Sequence, residues 1–481
     1  MEPEEQAKKA VRTAVVIVHG MGEQLPLDTL NGFVHTALPR VNGERVYFSR
    51  PERITDSYEA RRHLAYLQRK PEGSGIVYGQ TEFLEYHWSY LMTGNKLGDL
   101  LPTLRRLLWR KPSTVPYGIK VLWWIVWALI VLVLAVAVVI ISRGKTAAGL
   151  ATLLVGQGIV VTIALQLFNR ASNVVTRSFV DVVRYLDRSP RSYEVRRAIR
   201  KGMVDLLTAL HAKKRYSRVI IVAHSLGAYI AYDAITYLWP QMCKLHCGPL
   251  SDGPVQRLAG LKDLEKAAVT IDAHPLTELT PEQQGELDDF RAKQFRLWQG
   301  MRQQGNPWLI TDFISVGTPM YFADLLYTKN RQAFDTLVKK AELPVCPPRS
   351  ETQTVDGPDK PAGNYGFNNL GREVLAHGAA FAVVRWTNLF FPAERSWNGD
   401  WFGGRLRPLF GKGVLDRPIE GNLPGRRTPG LAHSKYFSYP DDTGPLDVAT
   451  QLRGFLQLDI HQELHALLSA PDYLEESDVT R

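Results

Sequence analysis

The sequence predicts an α/β fold, a mostly parallel central sheet flanked by helices, interrupted by an inserted two-helix transmembrane hairpin. Three observations predict it. Short apolar runs of strand length alternate with segments of helical spacing, the order that builds a parallel sheet with helical crossovers. In Arg218–Gly227 a run of mostly β-branched residues, Val219 to Ala223, enters His224-Ser225-Leu226-Gly227 and then an apolar helix, Ala228 to Trp239. That is a strand buried on both faces, a sharp turn and a helix, with a serine at the apex. Val121 to Ser142, finally, holds twenty-two residues without a charge, about 33 Å of helix against a bilayer core of about 30 Å.

At 481 residues the chain can bury a sizeable core in one large or two medium domains. Its net charge of +10 comes with no nucleic-acid motif, and many of the basic residues flank the apolar segments. No nucleic-acid partner is expected. Cys243, Cys247 and Cys346 are too few and odd in number for a disulfide framework, and they fit a reducing compartment. Cys243 and Cys247 bracket His246 without a second pair of ligands elsewhere, so neither a metal nor an organic cofactor is expected.

Residues 1–10 are polar and carry Glu2, Glu4 and Glu5, which excludes the pattern of a cleaved secretory signal. Val11 to Val18 reads as the first strand and ends in His19-Gly20-Met21-Gly22. Arg45–Ser49 and Glu82–Tyr90 read as further strands, with a helix over Ser57–Lys70 between them. A second uncharged run, Thr146 to Asn169, is interrupted by Gln157, Gln166, Gly156 and Gly158, and would return across the membrane. Trp123, Trp124 and Trp127 lie near one end of the first span, where amphipathic rings favour the interface. Arg105, Arg106, Arg110, Lys111 and Lys120 precede the hairpin and Arg170, Arg177, Arg184 and Arg188 follow it, against Arg143 and Lys145 in the loop. By the positive-inside rule both flanks, and the domain they carry, face the cytoplasm.

Val174–Leu186 and Tyr193–Lys213 have helical apolar spacing and lead into the central strand. Their arginines suit anionic head groups and a solvated face equally. Beyond the serine helix, 241–308 holds no strong strand. Thr280-Pro281-Glu282-Gln283 marks a capped helix start, with the helix running to about Gln304. Leu309–Val316 is the next strand, Val345–Tyr365 a surface loop rich in Pro and Gly, and Phe381–Phe391 the last core strand.

Ala223-His-Ser225-Leu-Gly227 has the form of a nucleophile elbow with Ala for the first glycine. The chain here resembles the α/β-hydrolase superfamily, in particular its lipase and serine-esterase branch. The resemblance covers residues 11–91 and about 172–440 in pattern and leaves the hairpin as an insertion. It implies Ser225 as nucleophile, with His19 and Gly20 opening an oxyanion loop and the N–H groups of Met21 and Leu226 as oxyanion donors. The family's chain order of Ser, acid, His then selects among downstream residues. Glu394, Asp400 and Asp416 are the candidate acids. Asp400 leads, because Gly399-Asp-Trp-Phe-Gly-Gly404 resembles the family's Asp-x-hydrophobic-Gly-Gly loop, and Glu394, nearer the strand end, is the alternative. The base is assigned to His433 in Leu431-Ala-His-Ser-Lys-Tyr-Phe437. His377 breaks the chain order, His461 and His465 sit on a late amphipathic helix, and the side chain of His224 should leave the serine turn in another direction.

The resulting organisation is a hydrolase core over 1–119 and 171–440, a hairpin over 120–170, a candidate lid at 241–308 and a helical segment at 441–481. The implied activity is that of a membrane-anchored serine esterase or lipase acting on lipid or acyl esters at the bilayer. A catalytically silent scaffold of the same fold, and an acyltransferase or thioesterase using the same triad, are the competing expectations.

Overall fold

The structure, a computed structural model, describes residues 11–20, 25–38, 47–55, 58–67, 79–92, 101–143, 181–186, 190–213, 215–245, 255–328, 330–349, 364–393, 399–419, 431–437 and 447–456. The chain opens with β1 (Val11–Val18) and α1 (Asp28–Ala37), then forms β2 (Tyr47–Thr55), β3 (Tyr58–Leu67) and β4 (Gly79–Tyr86). Helices α2 (Leu101–Leu108), α3 (Tyr117–Arg143) and α4 (Pro190–Ala212) lead to β5 (Arg218–His224) and α5 (Gly227–Met242). Two helices follow, α6 (Leu261–Ala273) and α7 (Pro281–Gln303), then β6 (Ile310–Val316) and the short α8 (Ala323–Leu326) and α9 (Arg331–Lys339). The last part holds the hairpin β7 (Gly366–Asn369) and β8 (Arg372–Leu375), then β9 (Arg385–Phe390), α10 (Arg407–Phe410), β10 (Leu415–Pro418) and α11 (Val448–Leu456).

One sheet organises these elements, in the order β10-β9-β6-β5-β1-β4-β3-β2. The six strands from β10 to β4 run parallel, and β3 and β2 continue antiparallel at one side. The α/β class is as the sequence predicts. Strand alternation explains why the central strands read as unbroken apolar runs. Ile220 and Val222 of β5, with Val15, Ile17 and Phe83, pack under α1 and α11 through Leu30, Phe33, Val34, Leu452 and Leu456. Val219, Ile221 and Ala223 face the other way, into the core shared with α4, α5, α6 and α7.

Two expectations need correction. Ser57–Lys70 is not a helix: most of it is β3, paired antiparallel with β2 from Tyr47↔Ala65 to Thr55↔Tyr58. The segment carries charges and apolar residues at helical spacing, but strand formation is decided by the neighbour a segment pairs with, and β4 supplies that neighbour. The other correction is that Phe381–Phe391 is not the last strand. β10 lies beyond it and pairs in parallel with β9 from Leu415↔Thr387 to Pro418↔Phe390.

The predicted helix start at Thr280 has the full reciprocal cap: the Thr280 hydroxyl accepts from Gln283 N–H and the Gln283 side chain accepts from Thr280 N–H. Helix α7 then buries Leu287, Phe290, Leu297, Trp298 and Met301. Arg291 donates to Trp386 O and Thr387 Oγ1, and Gln294 to Phe381 O. These partners lie at and just before the start of β9, away from the loop that follows its end, so α7 packs as a core helix.

Helix α3 runs unbroken for 27 residues over the first uncharged stretch. Along it Trp124, Val131, Leu134 and Val138 are exposed. Counting only the described side chains, no helix is long and apolar enough to cross a membrane. The second uncharged run and His461 and His465 lie outside the described residues.

At the N-terminal ends of β5, β6 and β9 sits a buried ionic cluster. The Asp312 carboxylate takes Arg218 Nη2 at 3.1 Å and Arg385 Nη2 at 2.9 Å, and Thr311 Oγ1 donates to it at 2.7 Å. Burial pushes the Asp312 carboxyl up, but Arg385 and Arg218 outweigh it and hold the group below its ordinary range. Removing the acid would strand two guanidinium groups in the core. Asp312→Ala is therefore expected to destabilise the fold by ~3–5 kcal/mol, measured by urea unfolding. A loss below ~1 kcal/mol would mean that water reaches the cluster.

Candidate active site

Five adjacent parallel strands end in the same place. The loops after β1, β5, β6, β9 and β10 carry His19-Gly20, Ser225, Gly317, Asp400 and His433 respectively. A crevice outside the carboxyl ends of the strands is where an open α/β sheet binds ligands.

Ser225 follows β5 with φ of 53°, in the left-handed region that a non-glycine side chain resists. The turn is over-determined. Ser225 N–H donates to Val316 O at 2.9 Å, and Ser225 O accepts from Ala228 N–H at 3.1 Å as α5 begins. A Cβ on Gly227 would stand 2.5 Å from Val18 O and 2.6 Å from His19 O, so only glycine lets α5 cross so close to β1. The Leu226 N–H has no acceptor among the described residues and lies at the positive end of α5. Gly20 is pressed against the same turn: a Cβ there would be 2.6 Å from His224 Nδ1 and 3.1 Å from Ser225 Cβ. Met21, the other expected oxyanion donor, lies outside the described residues, as does Glu394, the alternative acid.

His433, expected as the base, lies in a single helical turn over Leu431–Ser434. Its Nε2 is 2.8 Å from Ser225 Oγ, and its Nδ1 is 3.0 and 3.1 Å from the two oxygens of Asp400. A carboxylate can only accept, so the Nδ1 side carries the proton and Nε2 is left to accept from the serine hydroxyl. The three residues assigned from sequence thus form one hydrogen-bonded line. Asp416, another candidate acid, is occupied elsewhere: it accepts from Asn388 Nδ2, Leu406 N–H and Arg407 N–H and caps α10, while burial raises its carboxyl. His377 is exposed on the loop before β9.

The chain matches no family model, no curated protein and no solved structure.

Sequence reasoning missed the residues that hold Asp400. Tyr436 donates its hydroxyl to Asp400 Oδ2 at 2.8 Å and accepts from Phe391 N–H at 2.9 Å, and Phe402 N–H donates to Asp400 Oδ1 at 2.8 Å. Gly317 makes room for this arrangement: with φ of 55°, a Cβ there would lie 2.3 Å from the Tyr436 ring and 2.9 Å from Asp400 Oδ2. The signals were a tyrosine three residues after the base and a Gly-Thr-Pro at a strand end. Both were visible, but neither spacing names a partner.

The two histidines of the motifs have supporting parts. His224 donates Nε2–H to His433 O at 2.9 Å. His19 donates Nδ1–H to Gly20 O at 2.9 Å, accepts Trp88 N–H on Nε2 at 3.1 Å and stacks on the Trp88 ring. Burial holds both near a pKa of about 3, so both stay neutral and their hydrogen bonds keep one direction. Among the described residues no group of ligands could hold a metal ion.

Buried titratable groups give the fold an acid-side dependence. Burial lowers His19 and His224 to about 3 and His211 to about 4 from an unfolded 6.5. Between these values the unfolded chain binds the extra protons, so stability falls as pH falls. Glu85 acts in the opposite sense: burial raises it from 4.5 to about 7, so between those values the folded state holds the extra proton. Three histidines against one glutamate leave a net loss of ~2.7 kcal/mol per unit as pH drops from about 6.5 to about 4.5. Urea midpoints at pH 7 and pH 5 measure it, and equal midpoints would overturn it.

Proposed function

We propose that this chain is a membrane-anchored serine hydrolase that cleaves carboxylic esters, of the lipid or acyl class, through an acyl-enzyme. One observation carries the reading: Ser225 Oγ, His433 and Asp400 stand in a single hydrogen-bonded line, with 2.8 Å between Oγ and Nε2. A serine hydroxyl is a weak nucleophile until a base takes its proton, and the base needs an acid to fix its tautomer and balance its charge.

In the reaction, His433 Nε2 takes the Ser225 proton as Oγ bonds to the ester carbonyl carbon. The Leu226 N–H, with the Met21 N–H that the family resemblance implies, receives the oxyanion. As the tetrahedral adduct collapses, the ester C–O bond breaks and His433 returns its proton to the departing alcohol oxygen. Water then attacks the acyl-serine as His433 takes its proton; the acyl C–Oγ bond breaks, His433 returns that proton to Ser225 Oγ, and the carboxylic acid leaves. The Asp400 carboxylate accepts from His433, Phe402 and Tyr436.

The membrane part of the reading rests on α3: a continuous 27-residue helix with apolar side chains turned outward, preceded by basic residues. With Thr146–Asn169 as the return span, the hairpin holds the catalytic part on the cytoplasmic side and keeps it at the surface where lipid esters are found.

Labelling of the full chain with a fluorophosphonate tests the activated serine. Wild type is expected to label, and Ser225→Ala and His433→Ala to lose labelling while keeping the wild-type circular dichroism spectrum. Absence of labelling in folded wild type, in detergent and in lipid vesicles alike, sinks the esterase and favours an anchored scaffold. Product analysis with water and alcohol as competing acceptors separates hydrolysis from acyl transfer.

A further inference from the structure

The segment after β6 touches the catalytic acid at one end and the apolar helix at the other. At its start, Gly317 packs against Tyr436 and Asp400 Oδ2. Four residues on, Tyr321 donates its hydroxyl to Trp401 O at 2.7 Å, one residue beyond the acid. The same hydroxyl lies against Gly118 in the first turn of α3. Two glycines let this side chain in. A Cβ on Gly118 would be 2.8 Å from the Tyr321 hydroxyl and 2.7 Å from Trp401 O, and a Cβ on Gly404 would be 2.7 Å from the Tyr321 ring. One tyrosine is thus clamped between the base of α3 and both arms of the acid loop.

The base of α3 is itself fixed. Trp123 Nε1–H and Trp127 Nε1–H donate to Leu107 O and Leu108 O, which fastens α3 to α2. Arg110 pairs with Asp324 at 3.3 Å, three residues past Tyr321, with both side chains largely buried.

We propose that Tyr321 is a positioning residue that ties the acid loop of the Ser225 site to the first turn of α3, so that the seating of the anchor helix sets the placing of Asp400. The kinetic part of this proposal rests on the esterase reading; the tie itself does not. Tyr321 touches none of the reacting atoms. It acts through Trp401 and Asp400 on the orientation of the His433 ring, and a small misplacement of such a ring is costly in rate.

The test uses the full chain in phosphatidylcholine vesicles with 4-nitrophenyl acetate, a water-soluble ester that makes no demand on lipid delivery. Tyr321→Phe removes only the hydroxyl. It is expected to lower kcat about tenfold with KM unchanged, and to leave the melting midpoint near that of wild type. Gly118→Ala, whose methyl presses on Trp401 O, is expected to act in the same direction and serves if Tyr321→Phe folds poorly. Amide hydrogen exchange over 399–406 reads the tie without reference to activity, and faster exchange is expected in both variants. Wild-type kcat in both variants, or a rise in KM alone, overturns the proposal. If wild type itself neither labels nor turns over, the esterase reading falls, and the exchange result then decides: unchanged exchange over the acid loop overturns the tie, and faster exchange upholds it.

Discussion

Ser225→Ala and His433→Ala are each expected to lower kcat for a carboxylic ester about 10⁶-fold, and the double variant to be no slower than either single one. The reason is the 2.8 Å contact between Oγ and Nε2. Without the hydroxyl, the imidazole has no proton to take; without the imidazole, the hydroxyl keeps its proton. Losses that belong to one unit do not add. What survives comes from donors that neither change touches, such as the Leu226 N–H at the head of α5. The measurement is kcat on a water-soluble ester with the active-site concentration of wild type set by fluorophosphonate titration. Independent, additive losses would mean that the two side chains do not work on the same proton.

Asp400→Asn is the second large effect, with an expected loss of about 10⁴-fold in kcat. The carboxylate receives three donors: His433 Nδ1–H, Phe402 N–H and Tyr436 O–H. An amide has one oxygen for them and presents an NH₂ group in place of the other. Where that NH₂ meets the ring, Nδ1 must accept, the ring proton moves to Nε2, and Nε2 can no longer take the serine proton. The Tyr436 hydroxyl can rotate to accept, so the packing survives and melting should change little. A loss of less than tenfold would remove Asp400 from the reaction and point to Glu394.

The site was legible in sequence to the extent that its parts are local. Small residues at 223 and 227 around Ser225 announce a crossing of strand and helix, because the backbone clearance they provide is a property of a few consecutive residues. Asp400 and His433 needed a family's chain order, since nothing in their own neighbourhoods says that loops 33 residues apart meet. Tyr436 and Tyr321 were out of reach for a related reason: each holds the acid loop by one hydroxyl, and a hydroxyl three residues from a histidine or five from a strand end has many destinations. In the fold, buried strands such as Val219–Ala223 were plain because both faces demand apolar side chains. Strands β3 and β10 were not, since an outer strand draws its conformation from the strand beside it while its own residues mix charged with apolar types.

The backbone of Ser225, at φ of 53°, has a consequence outside chemistry. Glycine would occupy this position without strain, and the surrounding contacts from Val316, Gly20 and α5 would hold the turn just as well. The residue that makes the site reactive is therefore one that the architecture, judged by robustness alone, would give up to glycine. Thermal selection of random variants, blind to turnover, would drift toward silent proteins of unchanged shape, and any stabilised descendant of this chain has to be screened for activity in the same round.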